Sequence, residues 1–148
     1  MTEKTSKSLS KSNHSGQLFE QQALEGDETY AINIDRIQYH PEKGWIVFEF
    51  LRCVSVKPQD SHPNRYWHLN RRKFVRLWRI TQKLGGILYL VNYSDTPEWD
   101  GVLCIQVLDM DPDKGITREE KRFYSWEDFK KWFRELNQEC STDPEFRR

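Results

Sequence analysis

Two carboxylates stand among apolar residues. Glu49 lies inside the run Trp45-Ile46-Val47-Phe48-Glu49-Phe50-Leu51, and Asp35 follows Ile34 a short way upstream. Desolvating a charge inside such a strand is costly, so each acid is either paired or employed. Two acids on adjacent strands suit a hard divalent cation, because Mg²⁺ is held by one or two carboxylates together with carbonyl oxygens and water. The competing role is ion pairing with Arg36 or Arg52, worth about 0–1 kcal/mol at a surface.

Whether the acids meet depends on the hairpin that carries them. Residues 30–40 read as a strand rich in β-branched and aromatic side chains, Pro41-Glu42-Lys43-Gly44 as a turn, and residues 45–56 as the second strand. If His40 pairs with Gly44 across a three-residue turn, Asp35 falls directly opposite Glu49. A four-residue loop with Gly44 left-handed is an equally open reading. It sends the acids to opposite faces unless a β-bulge restores them.

The elements around the hairpin follow from periodicity. Residues 17–25 form a short helix before Gly26, and residues 57–64 a polar loop with two prolines. A helix over residues 66–84 carries Phe74, Leu77, Trp78, Thr81 and Leu84 on its inward face and stops at Gly85-Gly86. Residues 87–93 (ILYLVNY) are apolar enough for a strand buried on both faces. A strand over residues 102–108 follows, then a last helix capped by Ser125 with Asp128 three residues on, and a stripe of Phe129, Trp132, Phe133 and Leu136. The fold class is α/β: a single-domain sandwich on a mixed β-sheet, with a helix–β-hairpin–helix–strand core and a C-terminal helix. It occupies residues 17–140, between a disordered Ser- and Lys-rich tail (1–16) and a C-terminal tail (141–148).

Charge is balanced but segregated. With 23 basic and 23 acidic residues, the chain is no general polycation. Yet residues 61–94 hold seven Lys or Arg and no acid. Arg72, Arg76, Arg79 and Lys83, with Arg71 beside them, line one face of the predicted helix, which is the footprint of a polyanion such as a phosphate backbone. Segment 95–113 has six acids and no base, so pairing between the two regions is the alternative.

Phe19-Glu20 in a first helix, Ile34-Asp35, the run Val47-Phe48-Glu49-Phe50-Leu51 and the strand ILYLVNY, in that order, resemble the PD-(D/E)XK or restriction-endonuclease-like nuclease superfamily. The resemblance covers about residues 17–95 and rests on topology and three residues. It implies a Mg²⁺-dependent endonuclease or resolvase acting on nucleic acid, most often DNA. Asp35, Glu49 and the Phe50 carbonyl would hold the metal, and Glu20 would assist. The pattern's lysine is missing, with Leu51 in its place, so the implied cation must come from Arg52, Lys57 or Lys73. Without a substitute the resemblance implies an inactive module that binds nucleic acid or protein. A third reading is an inhibitor or immunity-type protein whose acidic segment mimics phosphates.

Other features carry less. Cys53, Cys104 and Cys140 make an odd count without CxxC spacing, pointing to reduced thiols in a cytoplasmic protein. No signal-like or membrane-spanning run is present in the sequence. Asp109-Met-Asp111-Pro-Asp113-Lys-Gly115 half matches a calcium loop, but its glycine is misplaced and a strand precedes it, so it reads as an acidic turn. His62 and His68 lack a cysteine partner, and His40 is expected to be exposed at a turn mouth. Any exposed part of the stripe with Trp126 would be a homodimer or protein-partner surface.

Overall fold

The computed structural model describes residues 9–146. It divides into two units, residues 1–31 and 32–148. The first contains α1 (Leu9–Leu24). The expected disorder of residues 1–16 is therefore corrected in part. Residues 9–16 are helical and continuous with the predicted helix, because extending a nucleated helix needs only one more hydrogen bond per residue. Residues 1–8 lie outside the described residues, as do the last two of the predicted C-terminal tail, which opens with a turn and a short 3₁₀ segment at Pro144–Phe146.

The second unit is α/β. Its order is β1 (Arg36–His40), β2 (Gly44–Arg52), α2 (Trp67–Leu84), β3 (Ile87–Tyr93), β4 (Val102–Asp111), β5 (Gly115–Tyr124) and α3 (Trp126–Cys140). The mixed sheet runs β1-β2-β3-β4-β5, with β2 and β3 parallel and every other pair antiparallel. The parallel pair needs a crossover, which α2 supplies.

Alternation along the strands builds two cores. Val47, Leu88, Leu90, Leu103 and Ile105 face Phe74 and Leu77 of α2. Ile46, Phe48, Val91, Val102 and Cys104 face Phe129 and Leu136 of α3. Phe48 and Phe74 are fully buried, so both helices are anchored by an aromatic ring against the sheet.

The two strands of the first hairpin are shorter than expected, since pairing begins at Arg36 and ends at Arg52. The strand β5 is an addition. Its segment Thr117 to Arg122 is charged or polar on both faces, so no apolar alternation announces it. It is one of the two edge strands, held by its ladder with β4, and its charges protect that edge from further pairing.

The two hairpins share one turn chemistry. His40-Pro41-Glu42-Lys43-Gly44 and Asp111-Pro112-Asp113-Lys114-Gly115 each place a three-residue loop between paired end residues. His40 Nδ1 accepts from the backbone N–H of Glu42 and Lys43 at 3.1 and 3.0 Å. Asp111 Oδ1 accepts from those of Asp113 and Lys114 at 2.8 and 2.9 Å. Gly44 and Gly115 close the loops at φ +80° and +102°, where a side chain would be strained. The same backbone bonds hold the Asp111 carboxyl below its usual range. His40 is buried, contrary to the expected exposure. With two donors on Nδ1, its proton sits on Nε2, which faces Glu139 Oε1 at 2.8 Å.

Candidate metal centre

The hairpin register decides the site. His40 pairs with Gly44 and Arg36 with Phe48, so the three-residue reading holds and Asp35 comes next, across from Glu49. The β1 ladder ends there because the Asp35 side chain replaces backbone: its Oδ2 accepts the Phe50 N–H at 2.8 Å. In an extended strand a residue's N–H and C=O point to the same side, so the Phe50 carbonyl faces the same gap.

Glu49 shares the α2 face of β2 with Val47 and is 2% exposed. Lys73 lies on α2 one residue before the buried Phe74 and one turn before Leu77. Its stem runs along the flank of the apolar face and brings the ammonium onto Glu49 Oε2. Glu49 Oε1 is buried beside Asp35 with no hydrogen-bond donor among the described residues. Burial pushes the Glu49 carboxyl up to about 7, the Lys73 ammonium opposes that shift, and the negative Asp35 reinforces it.

One further residue belongs beside this cluster. Asn92 of β3 is fully buried and pairs across the parallel ladder with Leu51, two positions beyond Glu49 on the same face. Its Nδ2 donates to the carbonyls of Pro58 and Ser61 at 3.1 and 2.7 Å, pinning the loop after β2, while Oδ1 has no partner among the described residues. An amide inside ILYLVNY carries the same signal as an acid inside WIVFEFL.

The other expected residues stand elsewhere. Arg52 is exposed and pairs with Asp95 at 3.1 Å, so it does not reach Glu49. Lys57 is exposed in the loop after β2. Glu20 is exposed on α1, in the first unit. Arg71 pairs with Asp113 at 3.3 Å. Arg72, Arg79 and Lys83 are exposed with no ion-pair partner among the described residues, and Arg76 is half-buried. The acidic segment is not one loop: Asp95, Glu98 and Asp100 precede β4, Asp109 and Asp111 lie in its last residues, and Asp113 is in the turn after it. The aromatic stripe of α3 is mainly core, with only Trp126 exposed and Lys130 over its ring at 5.9 Å. The three cysteines are free and buried, and burial pushes the Cys104 thiol up to about 12.

The donor set fits a hard cation. Asp35, Glu49 with its unpartnered Oε1, and the Phe50 carbonyl offer oxygen only. No cluster of three or more His, Cys, Asp or Glu suited to a metal occurs among the described residues, so any such ion would complete its shell with water. No described helix is long and apolar enough to cross a membrane. The chain matches no family model, no curated protein and no solved structure.

Proposed function

We propose that this chain is a Mg²⁺-dependent nucleic-acid phosphodiesterase of the restriction-endonuclease-like kind, with DNA as the favoured substrate. The observation that carries the reading is the convergence of Asp35, Glu49 and Lys73 with one Glu49 oxygen left unpartnered. Burying a carboxylate without satisfying both oxygens is costly, so its retention argues for a ligand at Oε1. The hairpin brings the acids together, and α2 supplies the cation that the pattern would place at Leu51.

Asp35, Glu49 and the Phe50 carbonyl would hold Mg²⁺. That ion, when bound, lowers the pKa of water and offsets phosphate charge. The Phe50 N–H orients Asp35. Lys73, 36% exposed, stands where an ammonium can reach both Glu49 and an incoming anion. Arg72, Arg79 and Lys83 supply positive surface on the same helix for a phosphate backbone.

The test is nicking of supercoiled plasmid and of single-stranded RNA and DNA by the full chain in Mg²⁺ or Mn²⁺. Activity that disappears in Asp35→Asn and Glu49→Gln, both still folded, supports the reading. Wild-type protein that cuts none of these with either ion sinks it. Salt-sensitive binding without metal would then favour the inactive module.

A further inference from the structure

On the flank of α2 that faces the β4–β5 turn lies a groove of about 540 Å³. Its apolar lining is Val75, the half-buried Trp78, Met110 and Pro112, and its polar lining is Gln82 with the cations Arg79 and Lys83. No acid lines it. The groove is built in advance, because the turn is tied to the start of α2. Trp67 Nε1 donates to the Pro112 carbonyl at 2.9 Å, and the Asn64 side chain exchanges two hydrogen bonds with the Ile116 backbone at 3.0 and 2.8 Å.

We infer that this groove takes one unpaired nucleotide of a nucleic-acid strand. The base packs on Trp78 and the apolar floor, Gln82 meets its polar edge, and the flanking phosphates meet Arg79 and Lys83. The chemistry matches each part. An apolar lining that includes an indole can stack any base, an amide both donates and accepts, and cations without a carboxylate among them select an anion. Arg72, Arg79 and Lys83 continue the positive track along the helix over about 16 Å at 1.5 Å rise per residue, the length of several phosphates. A continuous track favours a polynucleotide over an acidic peptide. Duplex DNA keeps its bases stacked and so offers the groove nothing beyond phosphate. The inference deepens the nucleic-acid reading, naming a substrate with single-stranded or extruded bases, but depends on no metal.

The experiment is anisotropy of a short labelled single-stranded oligonucleotide and of its duplex, both in EDTA, with the full chain. Wild type should bind the single strand more tightly. Trp78→Ala should weaken single-strand binding about tenfold, as expected for one lost stacked base, and change duplex binding less than about twofold. Gln82→Glu, at an exposed position, places a carboxylate in the groove without touching the core and should give the same selective loss. Circular dichroism melts establish that each variant is folded. Equal affinity for strand and duplex, or losses by folded Gln82→Glu that are equal for both, overturns the inference. So does displacement of the oligonucleotide by a tryptophan-containing acidic peptide at equal strength, which assigns the groove to a protein partner. Because this binding assay runs without metal, failure of wild type to cut nucleic acid in Mg²⁺ or Mn²⁺ would sink the phosphodiesterase reading and leave this result standing.

Discussion

Lys73 on α2 holds one oxygen of Glu49 in β2, while the other oxygen of the same buried carboxylate has no partner among the described residues. The charge is half satisfied. An ion pair inside a core is weak support for stability, because desolvation offsets most of the attraction. Under the proposed function the arrangement would bind a ligand rather than hold the sheet together, and stability and activity would be separable by mutation.

Replacing Glu49 by Gln should reduce metal-dependent cleavage by more than about a hundredfold, beyond what even a displaced neighbour of a metal ligand costs. Thermal stability at neutral pH should be unchanged or higher, since a buried charge is removed. Plasmid nicking and a melting curve on the same preparation measure both.

The carboxyl pKa of Glu49 stands raised, from 4.5 to about 7. Between those values the folded chain binds more protons than the unfolded one, so stability falls as pH rises through the window. The loss at this residue should reach at most about 3 kcal/mol by pH 8, at roughly 1.36 kcal/mol per unit. Urea unfolding at pH 4.5 and 8 should show this decline in wild type relative to Glu49→Gln. Parallel curves for the two proteins would contradict it.

Mg²⁺ should recover part of that loss. An ion bound only by the folded state adds about 2.7 kcal/mol at a hundredfold excess over its dissociation constant. The shift in urea midpoint should appear at pH 8, shrink at pH 5 where the Glu49 carboxyl is protonated, and vanish in Asp35→Asn.

Neutralising Arg72, Arg79 and Lys83 together should weaken nucleic-acid binding and flatten its salt dependence. Each lost phosphate contact removes about 0.7–0.9 from the slope of log affinity against log salt. A titration series between low and moderate salt reads the slope directly, and an unchanged slope would exclude this ridge as the contact surface.

Asn92→Ala should destabilise the fold by about 1–3 kcal/mol, because the Pro58 and Ser61 carbonyls lose a buried donor. Faster hydrogen exchange confined to the loop after β2 would show that the amide holds the segment beside Glu49.

Much of the architecture is legible from residue order. The β3 strand announces itself by seven residues with one polar member, and α2 by its apolar period, ending at Gly85 in the left-handed conformation. Glu49 stands out because an acid in an apolar strand demands an explanation. Asn92 offered the same signal in β3. The β5 strand offered none, since an edge strand with charged faces has no period to read.

By itself, then, the order of residues determined the helices, the buried strands and the two acids, because those depend on neighbours within one or two turns of chain. The tertiary structure decided which hairpin register the turn adopts and which cation meets Glu49. Arg52 is three residues away and bonds Asp95, whereas Lys73 arrives from the next helix. A strand sends alternate side chains to opposite faces, so the near arginine is turned away and only the packing of α2 on the sheet brings a lysine to the buried carboxylate.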